Sequence, residues 1–228
     1  EIVTMFHPEA KVVVYDRDMW WSDGWEPTEY GMDYDFSRPF FEQFKDLLSK
    51  VPLVNLSNEN CIGSPYGNHN ADCKDCYLTY ASFKNERVNY SSGAVNMKDS
   101  SDVYICLDSE LSYEDTSCTT LYKTHFSYDS DESLDSFFLR SCINLHDCIG
   151  CVNLRNKRRS ILNIEYSQEE YENKKKEYDF GSYKILKDFE SSYREFILNF
   201  PNRYANILKS QDVTGDIIIN ANNAKKCF

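Results

Sequence analysis

The chain has 228 residues, 41% of them hydrophobic, and a net charge of −12. That is enough apolar material for one large folded domain or two small ones, and the acidic balance repels a phosphate backbone, so nucleic acid is disfavoured as a partner. No apolar run approaches the roughly 18 residues that cross a bilayer, so no membrane partner is expected.

In chain order, residues 9–16 predict a short strand, followed by an acidic, aromatic loop that contains Trp20, Trp21 and Trp25. Ser37 is the expected N-cap of a helix over 38–50, with Phe40, Phe41, Phe44, Leu47 and Leu48 on one apolar face. Val51-Pro52 ends it, because the residue before a proline avoids the helical region.

From about 60 to 165 the helical period disappears, and short β-prone pieces alternate with Asn, Asp and Ser. Asp72-Cys73, Arg87-Val88, Asp102-Val103 and Ser117-Cys118 follow one another at a step of 15; Asp135-Ser136 and Asp147-Cys148 come after steps of 18 and 12. Tyr77, Tyr90, Tyr104, Tyr122, Phe138 and Val152 trail these marks. The pattern predicts stacked coils, with the small second residue pointing inward, where Cys behaves as a compact hydrophobe, and its polar neighbour facing out or capping a corner turn. Six or so coils at the strand spacing would make a rod roughly 30 Å long.

Beyond 165 the helical period returns. Ser167 and Glu170 fit a capping box that opens a helix through about Tyr178. A second helix is expected over 182–199, with a stripe of Leu186, Phe189, Tyr193, Phe196, Ile197 and Phe200, stopped by Pro201. Residues 215–220 and 224–228 look like the start of further coils, so the chain is expected to be cut short there.

The segments WWSDGWEPTEYGMDYDFSRPFFEQF (20–44), DCKDCYL (72–78), GCVNLRNK (150–157) and FPNRYANIL (200–208) resemble an uncharacterised family of Cys-rich repeat proteins from uncultured candidate-phylum bacteria. The resemblance runs over nearly the whole chain. It implies a zinc-ribbon-like N-terminus, a repeat block, a helical insert and a second repeat block, with this chain beginning inside the ribbon. It implies no activity; some members are labelled CaiB/BaiF-type acyl-CoA transferases, and no residue pattern here supports that chemistry. Where such members carry a Cys pair before the Trp pair, this chain has Asp16 and Met19, so the ribbon is degenerate and its zinc site is expected to be absent.

Several constellations invite chemistry. Cys73-x-x-Cys76 and Cys148-x-x-Cys151, with His69 and His146 nearby, have zinc-ligand spacing; equally, they are core positions of a repeat. A thioredoxin-like use of either pair needs a βαβ setting that is missing. Cys118 with His125, or Cys148 with His146, would make a nucleophile and base on paper. Carboxylates over 129–135 have calcium-like spacing without the glycine and distal Glu of a calcium loop, which suits an inserted, solvated loop. The basic run Arg155-Asn156-Lys157-Arg158-Arg159 reads as a solvated face rather than a phosphate site. Trp20, Trp21 and Trp25 would either form a ligand-binding ledge or cap an open core, with their indole N–H groups on nearby carboxylates.

Nine cysteines, an odd number with no secretory signal, read as reduced thiols and a cytoplasmic location. The expected fold is mainly β: an irregular β-solenoid with a short N-terminal α/β cap (1–59), a repeat block (60–165), a helical insert (166–202) and the start of a second block (203–228). The expected function is a non-enzymatic scaffold for a protein partner, with no catalytic residue and no cofactor. The alternatives are a metal-dependent enzyme or zinc-binding protein built on the C-x-x-C pairs and a ligand-binding module built on the Trp loop.

Overall fold

The computed structural model describes residues 2–227; Glu1 and Phe228, the outermost residues of the first and last expected segments, lie outside them. With 33% strand against 18% helix, the chain is mainly β. Its contacts divide it into two compact units that meet in sequence at Lys174 and Lys175.

The first unit opens on a small module. Of the expected strand over 9–16, only Val14–Tyr15 (β1) pairs, in parallel, with Leu53–Val54 (β2). The aromatic loop holds two short helical turns, Arg17–Trp20 (α1) and the 3-10 turn Pro27–Tyr30. Asp16 caps the former by accepting from the Met19 N–H at 2.9 Å. The next helix, Phe40–Leu48 (α2), starts after Pro39, and Ser37 does not cap it. The Ser37 hydroxyl bonds the Asp35 carboxylate instead, at 2.6 Å. The apolar face of α2 also departs from expectation. Phe40, Phe41, Phe44 and Leu48 are exposed, and the buried residue is Gln43, whose amide bonds the Asp35 and Arg38 carbonyls.

The rest of the unit is one repeating pattern. Pairs such as Asn58↔Asn70, Tyr77↔Asn89, Cys106↔Cys118, Thr124↔Ser136 and Cys148↔Ser160 are all parallel and all offset by twelve residues. Isolated bridges fill the gaps at the same offset, Lys74↔Glu86 and Thr116↔Tyr128 among them. The step is therefore twelve residues, not fifteen.

Within each step a three-residue unit recurs. From Asn70 to Cys151 every third residue is at most 4% exposed. The residue before each of these sits in the left-handed region, with φ between 45° and 66°. An ordinary strand alternates its side chains with period two. A left-handed residue at every third position turns the chain, so one residue in three faces in and two face out. Asn and Asp tolerate that conformation best, which accounts for Asp72, Asp75, Asn96, Asp99, Asp102 and Asp108 in these corners. The acidic run over 129–135 follows the same rule. Ser130 and Ser133 are buried, and Asp131 pairs with Thr119 and Ile143, so it is a regular part of the ladder and not an inserted loop.

The buried positions are small because the turned backbone leaves their amides facing inward. Outward amides donate to carbonyls along the ladder, as in Lys74 N–H to Asn85 C=O (2.8 Å) and Lys84 N–H to Ala71 C=O (2.9 Å). The inward amide needs an acceptor from the preceding rung, since an unmet buried donor costs about 1–3 kcal/mol. Serine supplies it: Ser130 Oγ accepts from the Cys142 N–H (3.2 Å) and Ser136 Oγ from the Cys148 N–H (3.1 Å). Thiols instead donate to carbonyls, as Cys106 does to the Asp115 C=O at 3.3 Å.

On the last rung the corners stay in phase at Asn153, Asn156 and Arg159, and Ser160 is buried, but two inward positions are less well covered. Leu154 is only partly buried and Lys157 is exposed, bonded to Glu165 at 2.8 Å; the basic strand Arg155–Ile161 is largely solvated, as expected. The capping box then forms as expected: Glu170 accepts from the Ser167 N–H (3.0 Å), and Ser167 Oγ from the Glu170 N–H (3.4 Å). Helix Gln168–Lys175 (α3) follows, shorter than anticipated, with Tyr171 fully buried.

In the second unit, helix Tyr183–Ile197 (α4) buries Phe189 and Tyr193 from its predicted stripe. A second parallel pairing joins Ile207–Leu208 to Ile218–Ile219.

Candidate functional site

The two C-x-x-C pairs take adjacent inward positions. Cys73, Cys76, Cys148 and Cys151 are all at most 1% exposed. Cys148 occupies the row of Cys76 six rungs further on, roughly 29 Å away at the usual strand spacing. Each thiol donates to backbone carbonyls: Cys73 to Ala71 (3.5 Å), Cys76 to Lys74 (3.4 Å), Cys148 to His146 (3.3 Å) and Cys151 to Ser160 (3.5 Å). Contact with Cys76 and burial raise the Cys73 thiol; Cys148 and burial do the same to Cys151. Their partners shift the other way: the bond with Cys73 lowers the Cys76 thiol to about 7, and the bond with Cys151 lowers Cys148. Burial, outweighing backbone hydrogen bonds, pushes Cys142 up to about 11. All four C-x-x-C thiols are nevertheless enclosed, which keeps a metal or a substrate from reaching them.

The histidines stay apart from them. His146 lies two residues before the inward Cys148, in an outward row between Leu134 and Arg158. His69 is an exposed left-handed corner. His125 is outward too, paired between Tyr113 and Phe137, whereas Cys118 is inward; burial lowers its pKa, and its Nδ1 has no hydrogen-bond partner. Among the described residues, no three His, Cys, Asp or Glu side chains converge as a metal-holding group.

The three tryptophans do cluster. Trp20 and Trp21 meet edge to face at 4.9 Å, and Trp25 lies 5.9 Å from Trp20 and 5.6 Å from Tyr15. Their N–H groups do not reach carboxylates. Trp20 Nε1 donates to the Pro52 carbonyl (3.2 Å) and Trp25 Nε1 to the Trp20 carbonyl (2.8 Å), because these carbonyls lie inside the half-buried cluster. Trp21 is different: it is 71% exposed. With Phe83, His69, Arg17, Glu59 and Asn58 it lines a cavity of about 450 Å³. Sequence spacing does not reveal this meeting, because the ladder brings residue 83 beside residue 71 and so beneath the Trp loop.

The outward rows are the other extended feature. One alternates charge, Lys74, Glu86, Lys98, Glu110, with Lys74–Glu86 at 3.7 Å and Lys98–Glu110 at 4.0 Å. Arg87 bonds both oxygens of Asp99, and also Glu86. Such exposed pairs add little stability, but they put unlike charges at each rung. Another row reads Tyr80, Ser92, Tyr104, Thr116, Tyr128, Arg140 on successive rungs. Its tyrosines recur every 24 residues, which becomes visible only once the twelve-residue step is known.

No protein-family model matches this chain, and no curated protein matches it.

Proposed function

We propose that residues 58–165 form a β-solenoid with a twelve-residue coil of four three-residue sides, and that it serves as a non-enzymatic scaffold presenting its side faces to a protein partner. The observation that carries this reading is the unbroken burial of every third residue from Asn70 to Cys151 on a parallel twelve-residue offset. Such a core is filled by its own small side chains. It encloses the thiols and puts the histidines outside, so no nucleophile meets a base. The surface on offer is the set of outward rows, acidic overall and rich in exposed tyrosine. The family resemblance belongs to the same proposal, since a Cys-rich repeat block is what these residues would be. So does a reducing, cytoplasmic setting, in which nine cysteines that form no disulfide are chemically stable.

The test replaces Cys73, Cys76, Cys148 and Cys151 together by serine, a residue the inward positions already use. The scaffold reading expects an unchanged far-UV circular dichroism spectrum and purified wild-type protein without stoichiometric zinc. One zinc per chain in the wild type, lost together with the fold in the four-serine variant, overturns it in favour of the metal-dependent alternative.

A second reading is favoured by one observation, the exposed Trp21 and Phe83 facing His69, Glu59 and Arg17 across a cavity. Aromatic faces flanked by hydrogen-bonding groups suit a sugar ring.

A further inference from the structure

Resting on the scaffold reading, we propose that the row Tyr80–Ser92–Tyr104–Thr116–Tyr128 is a docking groove for a proline-rich peptide in the polyproline II conformation, flanked by basic residues.

The row is in register over its whole length. Tyr80, Tyr104 and Tyr128 are 44%, 54% and 46% exposed, and the positions between them hold only serine and threonine. Each small residue therefore leaves a gap one ring wide between two tyrosines. Over Ser92 this gap is a cavity of about 440 Å³, walled by Tyr80 and Tyr104 and bordered by Leu78, Tyr90 and Asp102. The same arrangement of small residue between tyrosines recurs at Thr116. The rung after Tyr128 shows how such a gap is used: Arg140 lays its guanidinium over the Tyr128 ring at 5.2 Å. A flat group one rung from a tyrosine is thus accommodated on this face, and the gaps over Ser92 and Thr116 lack one.

The spacing selects the occupant. Adjacent gaps are two rungs apart, about 9.5 Å. A polyproline II helix advances about 9.3 Å per three-residue turn. A peptide lying along the row would place one proline in each gap without bending. Its backbone makes no internal hydrogen bonds, so its carbonyls are free to accept from the exposed tyrosine hydroxyls. Charge sets the flanks. Asp102 and Glu114 are exposed on adjoining rungs beside the row, and the whole chain carries −12. Arginine or lysine at the ends of the peptide complements that field.

The experiment titrates purified full chain into a fluorescein-labelled peptide of two arginines followed by nine prolines, a segment about 28 Å long, and reads anisotropy. A glycine–serine peptide of equal length and charge is the control. The expected result is saturable binding of the proline peptide, weakened by salt and not shared by the control. Tyr104→Ala should weaken it roughly tenfold, the scale of an aromatic anchor. Ser92→Tyr, which fills the gap with a ring and continues the stack, should weaken it as much; Tyr122→Ala, in another row, should leave it unchanged. Equal binding of the two peptides, full binding by folded Ser92→Tyr protein, or preference for a β-linked oligosaccharide on this face overturns the proposal. The four-serine variant separates the two failures. If it folds and the wild type shows no preference for proline, the groove is rejected and the scaffold stands.

Discussion

Asp115 is the most costly residue of the ladder, and its neighbours show why. It is fully buried at an inward position, and inward positions in other rows use asparagine for the same work. Asn85 accepts from the Met97 N–H with Oδ1 (2.9 Å) and donates from Nδ2 to the Ala94 carbonyl (2.8 Å). Asn70 does the same with the Ser82 N–H (3.2 Å) and the Thr79 carbonyl (2.9 Å). Asp115 copies the first bond, accepting from the Ser127 N–H with Oδ1 at 2.8 Å, but its Oδ2 has no partner. Burial outweighs that bond and holds the carboxyl well above the ordinary range, so it is protonated in the fold. In the unfolded chain the group ionises near pH 4. Because the folded pKa is the higher one, stability is fully present below about pH 4 and is lost as pH rises toward the folded value. Asp115→Asn keeps the acceptor and supplies a donor that is neutral at every pH, so nothing has to be protonated on folding. It should stabilise the protein at pH 7 by about 1–3 kcal/mol, with the gain shrinking toward zero at pH 4. Chemical denaturation of both proteins across that range checks this; a gain independent of pH would refute the protonated carboxyl.

At the scale of elements, the three tryptophans fall into different roles although they stand within six residues. Trp20 and Trp25 bond carbonyls inside the module, and Trp21 opens onto the cavity with Phe83. Trp25→Phe loses the 2.8 Å bond to the Trp20 carbonyl and should cost about 1 kcal/mol in the melting transition. Trp21→Ala should leave melting nearly unchanged. If the cavity binds sugar, a panel of mono- and disaccharides alters the tryptophan fluorescence of the wild type and not of Trp21→Ala; no response from any sugar removes that second reading. The sequence disclosed the cluster but not this division, which depends on partners tens of residues away. Helix α2 makes the same point in reverse: the stripe of Phe40, Phe41, Phe44 and Leu48 was legible, yet the face is exposed, because spacing marks amphipathicity and not what lies against it. The α3 capping box, by contrast, was fully readable, since both partners lie within one turn.

For the ladder as a whole, the inward residues were legible and the step was not, for one reason. Cys73, Val88, Val103, Cys118, Ser136 and Cys148 are all at most 2% exposed, as the small-residue marks predicted. They lie at separations of 15, 18 and 12, every one a multiple of three. With one inward residue in every three, any such step lands on an inward position, so the marks cannot distinguish twelve from fifteen. Only the pairing offset resolves the two, and it also assembles the outward rows, which repeat at twelve alone. This separates three deletions by their physics. Removing residues 95–106 takes out one full step and keeps both the inward phase and the rows. The remaining rungs still stack on their neighbours, so a β-type circular dichroism spectrum and a cooperative melt should survive at a somewhat lower temperature. Removing 95–109 keeps the inward phase but moves every later outward residue one side along, so the core should form while the tyrosine and charge rows are broken. Removing 95–107 shifts later residues by one position, which puts core residues at the left-handed corners and drives Glu110, Asp131 and Arg140 inward, and burying an unpaired charge is prohibitive. That variant should not fold cooperatively. Equal melting of the 95–106 and 95–107 deletions would mean that the three-residue phase does not govern the fold.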